Sequence, residues 1–437
     1  MTQGTRPKGP RSSLSQLLRL QDPFPWMLDF MQAYDDPATV PILGQGDLVL
    51  TWSPEGAKEI FTADPDTYTS GVNDALAVIV GEASIFLLSG AKHRRARKLL
   101  APPFHGERMR AWGALMRDAA LRHAKTWTSG ATVPVVPTTQ AITLDIIIES
   151  VFGVRDPAQV RALHDDIVAL VAAFNPLIAG FKLFQREFGG VGPWARFQRI
   201  ARGLHEKLTG LIASKRATPG DDIVSLLLAV RDEDGDALTE QEVTEQLLSF
   251  VIAGHETTAT SLAWALYALH RAPETLNRLR DELSALGPSP APDALAKSPY
   301  LEAVCQETLR MYPPVPMVTR KLAKPLTLRG YTLPEGSAVG VGMFMTHHRA
   351  ALYPEPLRFR PERFLERTYN AFEWMPFGGG ARRCLGAAFA MYEMKVVLAT
   401  LLSAARFTLA EPKPVGRNFR IGTFGPATGV RMTITPT

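Results

Sequence analysis

The sequence predicts a mostly α domain with a small β subdomain, on three observations. From Ser53 to about Leu286 apolar residues recur at helical spacing. Residues 317–344, "MVTRKLAKPLTLRGYTLPEGSAVGVGMF", read instead as short strands broken by turns. The tail, with "FTLA" and "GVRMTITP", is strand-like again. The 437 residues suit one large domain or two ordinary ones and are enough to bury a cofactor. Residues 1–22 are expected to be a mobile N-terminal segment, with 23–437 forming a single domain.

In chain order, residues 40–52 ("VPILGQGDLVLTW") alternate enough to be short strands. The clearest helix lies in "LTEQEVTEQLLSFVIAGHETTATSLAWALYALHRAP". Thr239 can cap it, and Glu242 three residues later completes a capping box. Leu247, Phe250, Val251, Gly254, Thr257, Ser261 and Leu262 keep helical spacing, and Pro273 limits the far end. Continuous from Glu240 to Ala272, the helix would be roughly 50 Å long. A second helix runs from Pro299, behind a Ser298 cap, to about Tyr312, where Pro313 and Pro314 stop it. Residues 350–383 are rich in Pro, Gly and Arg and are expected to form an irregular ordered loop. A last helix is expected from about Leu385 to Ala405.

Composition narrows the function. The net charge of +5 is too mild to argue for nucleic acid, and 46% hydrophobic with 21% charged residues is normal for a soluble enzyme. The two cysteines, Cys305 and Cys384, cannot make a disulfide framework, so a reducing, cytoplasmic setting is expected. No apolar run of spanning length and no convincing signal peptide is apparent, so no membrane anchor is expected.

One cysteine has unusual surroundings. "PFGGGARRCLG" places Cys384 in a loop dense in glycine and arginine, just before a helix. Unpaired N–H groups and the helix dipole there favour the thiolate. Three uses compete: a nucleophile, a zinc ligand, or an axial ligand of haem iron. Zinc needs about four ligands at short spacing; Cys305 is far off in sequence and the loop has no histidine. A phosphatase-type loop would want an arginine shortly after the cysteine, and "CLGAAFAMYEMK" has none. A nucleophile paired with a distant histidine stays open. Haem ligation needs only one cysteine, and glycines would make room for a flat porphyrin.

"FGGGARRCLG" resembles the haem-binding signature of the cytochrome P450 family, matching at Phe377, Gly378, Gly380, Arg382, Cys384 and Gly386. The resemblance extends from about residue 40 to the end. It implies a P450 fold with haem b held between the long helix and the helix after the cysteine, and Cys384 as the iron ligand. "AGHETT", Ala253 to Thr258, is similar to the family's oxygen-activation segment. An acid beside an alcohol can relay protons through water, which oxygen cleavage requires. By resemblance Thr257 holds the water and Glu256 links it to solvent. Small Ala253 and Gly254 would leave a shallow groove over the haem. His255, about 200° round the helix from Thr257, is not expected to be a ligand.

Two more segments fit. "ETLR" puts Glu307 and Arg310 at i and i+3; by resemblance they pair in the interior, with Arg363 of "FRPERF" as third member. In "GAKHRRARKLLAPPF", His93 and Arg97 share a face and by resemblance meet the haem propionates with Arg320 and Arg382. Arg94, Arg95, Lys98 and Arg383 remain as a positive surface for an acidic ferredoxin or flavodoxin, itself served by a reductase. Cys305 reads as a small packed hydrophobe, and the pair His347–His348 has no partner at metal-ligand spacing.

The resemblance also places pocket candidates: Phe86, Ile252, Ala253, Val315, Pro316, Thr423 and Phe424, with Phe174, Leu177, Ile178 and Phe181 as a roof. As a set they suggest a lipophilic substrate of the fatty acid, terpenoid, steroid or polyketide class, with Lys182 or Arg186 available for a carboxylate. The expected activity is a haem-thiolate monooxygenase that uses O2 and electrons from separate proteins and works as a monomer. A peroxide-driven peroxygenase, which in that branch typically replaces the acid–alcohol pair with an arginine, and a haem sensor without turnover are the alternatives.

Overall fold

The computed structural model describes residues 6–10, 22–42, 46–69, 74–104, 107–174, 185, 189–411, 413–420 and 423–436. The chain forms two compact units. One comprises Met1–Val72, Met116–Gln140 and Thr257–Thr437; the other comprises Asn73–Leu115 and Ala141–Glu256.

The first unit holds the β structure. Strands Ala38–Ile42, Gly46–Thr51, Ala338–Val341, Val318–Leu322 and Tyr68–Thr69 lie side by side in that order. Only the pairing of Leu48 with Ala338 and its neighbours is parallel. Side chains alternate across a strand, and here both faces are covered. Val49, Val339 and Val341 pack with Ile60, Phe61 and Leu322 on one side. Leu48, Leu50 and Trp52 pack with Phe24, Phe30 and Phe344 on the other. Residues 6–10 lie along the outer strand: the Thr39 N–H donates to Lys8 O at 3.1 Å, and Thr39 Oγ1 to Pro7 O at 2.7 Å. A second sheet orders Thr132–Pro134, Arg431–Pro436 and Ala405–Leu409.

The other unit is helical, built from Gly90–Leu100, Pro157–Ala173, Pro193–Ala217, Ile223–Ala229 and most of Val135–Val151. The long helix runs Glu240–Arg271, 32 residues or about 48 Å, and the division between the units falls within it. Its start is the expected capping box. The Glu242 N–H donates to Thr239 Oγ1 at 3.1 Å, and the Thr239 N–H to Glu242 Oε2 at 2.8 Å.

Helix Pro299–Met311 begins where expected but is not capped by Ser298, whose hydroxyl turns back to Ala294 O. Glu282, from helix Pro273–Ala285, takes the Tyr300 and Leu301 N–H groups instead, both at 3.0 Å. A carboxylate satisfies those orphan donors and suits the positive helix end. The last helix, Ala387–Ala404, is the one among the described residues long and apolar enough to cross a membrane, where no such run was expected from the sequence. It is 72% buried inside the protein and carries buried Glu393 and Lys395, as a core helix does.

The interior charge of the first unit centres on Glu307, which is fully buried with Arg310. Arg310 grips Glu307 with Nε at 2.6 Å and Nη2 at 2.9 Å. Arg363 Nε adds a third bond at 3.1 Å, and the Arg360 N–H a fourth at 2.8 Å. The arginines spend their other donors on loop carbonyls: His347 for Arg310, and Pro354, Glu355 and Arg358 for Arg363. His347 carries the chain of contacts onward. Its Nε2 accepts the Met375 N–H at 3.0 Å, so the ring is neutral with its proton on Nδ1. Burial first, then the Arg310 charge, pushes its pKa down to about 3.

Two outcomes follow. Glu307→Gln leaves two buried guanidiniums short of their anion and should cost roughly 3–5 kcal/mol, read from the urea midpoint at pH 7. His347 titrates near 6.5 when unfolded and near 3 when folded. The unfolded chain therefore binds more protons between those values, and stability should fall as pH drops from about 6.5 toward 3. Urea midpoints from pH 7 to pH 4 should decline less steeply for His347→Gln.

Candidate functional site

The Cys384 loop owes its shape to one close approach. Gly378 and Gly380 have φ of 67° and 65°, a conformation that favours glycine. A Cβ on Gly380 would collide with the carbonyl oxygen of Phe61, and one on Gly379 with the Phe61 ring. The loop therefore lies flat against helix Pro54–Thr62. Inside it, the Cys384 N–H donates to Phe377 O at 3.0 Å, the Gly378 N–H to Met375 O at 3.0 Å and the Arg383 N–H to Gly380 O at 3.1 Å. Cys384 is exposed, three residues before helix Ala387–Ala404. At Gly386 a Cβ would meet nothing within 4 Å. Cys305, by contrast, is fully buried and its thiol is pushed up to about 12 by burial, so it is a packed hydrophobe as expected. Among the described residues no three His, Cys, Asp or Glu side chains gather to hold a bare metal ion.

Beside the loop stand two like charges. Burial, and next the guanidinium of Arg382, push the Arg320 pKa down to about 10. Burial also lowers Arg382. Arg320 sits on strand Val318–Leu322 and donates to Thr319 O at 2.8 Å. Two partly buried cations acting on each other favour an anion between them. The segment 314–316 and the C-terminal hairpin meet here in the same unit: the Phe424 N–H donates to Pro314 O at 2.8 Å, and the Phe344 N–H to Pro316 O at 2.9 Å. Thr423 is buried, Phe424 packs on Phe24 at 5.4 Å, and Val315 leans on the sheet core. These four candidates are therefore partly framework. Thr257 is half-buried, and its carbonyl accepts Ser261 Oγ at 2.9 Å.

In the helical unit, His93 is buried and Arg97 half-buried on helix Gly90–Leu100. Arg95 and Lys98 of the same helix are not a spare positive surface. Arg95 binds Asp232 at 2.6 Å and Glu242 at 3.2 Å, and Lys98 pairs with Glu233. Along the long helix Ile252, Ala253 and Gly254 are half-buried and Glu256 is buried. The small size of Gly254 also has a packing cause: a Cβ there would approach Ile147 Cδ1 at 2.8 Å. His255 is turned away as expected, with Nδ1 2.8 Å from Val251 O and its pKa lowered by burial. Phe86 is half-buried. Phe174 is buried at the end of helix Pro157–Ala173, its ring 6.0 Å from Phe197, so it packs into the unit. Leu177, Ile178 and Phe181, like Lys182 and Arg186, lie outside the described residues.

Spacing gave no hint of three residues that matter locally. His347 was set aside for want of a metal partner, yet it ties Arg310 to the segment before the cysteine loop. Arg417, in the hairpin that carries Thr423, lies over the rings of Phe24, at 4.2 Å, and Tyr312, at 5.1 Å. Glu282 caps a helix eighteen residues further on. Only the folded chain brings these groups to their partners.

The donors suit haem b: an exposed thiol at a helix N-terminus for iron, glycines that leave the loop low, and paired cations for carboxylates. Comparisons with known proteins agree. The family model for cytochrome P450 matches residues 13–422. A putative cytochrome P450 137 of Mycobacterium tuberculosis is 35% identical over 417 residues, covering 94% of this chain and 85% of the relative. A putative cytochrome P450 135B1 of Mycobacterium bovis is 34% identical over 411 residues, covering 91% and 84%. Among solved structures, a cytochrome P450DA heme domain superposes with a TM-score of 0.86 at 21% identity, over 99% of this chain and 97% of that one. A retinoic acid-bound cyanobacterial CYP120A1 gives 0.80 at 24%, over 93% of each. This chain thus belongs to the cytochrome P450 family, the haem-thiolate monooxygenases, and its cofactor is haem b.

Proposed function

We propose that this cytochrome P450 inserts one atom of O2 into a hydrophobic small molecule, with electrons from a separate ferredoxin or flavodoxin and its reductase. The carrying observation is the acid–alcohol pair Glu256–Thr257 on an unbroken long helix, in a chain whose cysteine loop suits a thiolate ligand. Haem b, when bound, supplies the iron at which dioxygen is reduced and cleaved. Cys384 would hold that iron and donate electron density to it. Arg320 and Arg382 would bind haem carboxylates, and His93 and Arg97 are proposed for the same task. Phe377, Gly378 and Gly386 would bound the porphyrin on the cysteine side.

Thr257 would hold a water by its hydroxyl, and Glu256 would return protons to it. Such a relay suits a carboxyl and a hydroxyl one residue apart on a helix. The half-buried apolar residues Phe86, Ile252, Ala253, Val315 and Phe424, with Pro316 and Thr423, are proposed to meet the substrate. A lipid-like, terpenoid, steroid or polyketide molecule suits such a lining. The protein is proposed to act as a monomer in the cytoplasm.

The carbon monoxide difference spectrum of the dithionite-reduced protein is the primary test. A strongly red-shifted Soret band is expected, and Cys384→Ser should abolish it while the protein stays largely folded. A thiolate-type band surviving in that variant would sink the ligand assignment. Thr257→Ala should uncouple turnover, releasing several-fold more hydrogen peroxide per NADPH with a reconstituted redox chain, a loss on the scale expected of one proton-transfer group. Unchanged coupling would remove Thr257 from the relay.

A further inference from the structure

The segment "GEASIF", Gly81 to Phe86, links helices Asp74–Val80 and Gly90–Leu100 without regular structure of its own. Such a segment must satisfy its buried backbone groups by other means. Here the partners are polar side chains on one stripe of the long helix. The Ala83 N–H donates to Glu245 Oε2 at 2.5 Å. The Ile85 N–H donates to Gln246 Oε1 at 3.0 Å, and Gln246 Nε2 returns a bond to Ala83 O at 2.5 Å. Ser84 Oγ and Ser249 Oγ are 2.7 Å apart. Ser249 gives its own proton to Glu245 O at 2.6 Å, so Ser84 is the donor to Ser249. The Phe86 N–H in turn donates to Ser84 Oγ at 3.3 Å.

The bonds thus run in one direction, from the Phe86 N–H through Ser84 and Ser249 to the backbone of the long helix. Every side chain involved is at most 9% exposed: Ser84, Glu245, Gln246 and Ser249. Gln241 Nε2 fills the other oxygen of Glu245 at 2.8 Å. Gly81, at φ 82°, has no room for a Cβ against the Glu245 carboxyl. A turn held by five bonds and a glycine-only approach has little freedom, and it ends on Phe86.

We infer that Glu245, Gln246 and Ser249 are positioning residues that set where Phe86 stands, and so which substrate shapes the pocket admits. The inference rests on the proposed pocket role of Phe86. None of the three needs to touch substrate; they act through the turn.

The test uses the haem-loaded protein and two nitrogen ligands of iron, small imidazole and bulky 4-phenylimidazole, followed by their spectral shifts, together with amide hydrogen exchange. Gln246→Leu keeps the side chain's size and removes two bonds. It should speed exchange at Ala83 and Ile85 at least about tenfold while helix Gly90–Leu100 keeps its protection. It should change 4-phenylimidazole affinity by roughly fivefold and leave imidazole within about twofold, and the effect should vanish in a Phe86→Ala background. Should Gln246→Leu not fold, Ser249→Ala, which removes the acceptor of Ser84 and the bond of Ser249 to its own helix at Glu245 O, takes its place with the same readouts. Unchanged exchange at Ala83 and Ile85, or an azole effect that persists undiminished without the Phe86 ring, overturns the inference. A wild-type protein whose spectrum ignores both azoles would defeat the haem reading instead, and the exchange data would still decide whether these side chains hold the turn.

Discussion

The buried carboxylate of Glu307 is the constraint on which the cysteine side of this protein depends. An ion with no exposed surface is costly unless every lone pair is used. Here one oxygen faces Arg310, and the other is shared by Arg310, Arg363 and the Arg360 N–H. The arginines then recruit the carbonyl of His347 at a helix end and those of Pro354, Glu355 and Arg358 in the irregular stretch beyond it. A long irregular stretch is thereby ordered by one interior charge rather than by secondary structure. His347 extends this order to Met375, two residues before Phe377. The loop that presents Cys384 is thus the far end of an electrostatic scaffold.

Charge is handled differently in the two arginine-rich regions. On Gly90–Leu100, Arg95 and Lys98 are matched by Asp232, Glu242 and Glu233. Neutralised pairs fix the helix in place and leave less positive potential for a partner than the sequence implies. Beside the cysteine loop burial dominates. Burial and then the Arg382 charge lower the basicity of Arg320, and burial lowers that of Arg382. An anionic ligand favours such partly buried cations, which is the ground for proposing them for haem carboxylates.

Much of this was legible in the residues, for local reasons. The long helix, its Thr239–Glu242 box and the Pro-started helix that carries "ETLR" depend on groups within one turn of each other. The cysteine motif, the acid–alcohol pair and the Glu307–Arg310–Arg363 set were readable from the family pattern. What escaped depends on distant chain segments. Ser298 looks like a cap, yet Glu282 competes better because its carboxylate bridges two N–H groups. Gly254 reads as a small residue over a cofactor, and the fold adds a second reason for its size, Ile147 of helix Val135–Val151. Arg95 looks free until the 232–242 segment folds over it. In each case the local signal was real and a tertiary partner decided its meaning.

The contact between Phe61 and the glycines before Cys384 changes what the signature measures. Gly379 and Gly380 are required by a neighbouring carbonyl and ring of the protein itself. Part of the famous pattern is therefore a docking rule between a loop and a helix sixty residues into the chain. A chain that had lost its chemistry would still need those glycines, because without them the loop could not close onto helix Pro54–Thr62. Within the motif, Gly379 and Gly380 answer to architecture, whereas Cys384 and Arg382 are the residues proposed for the ligand.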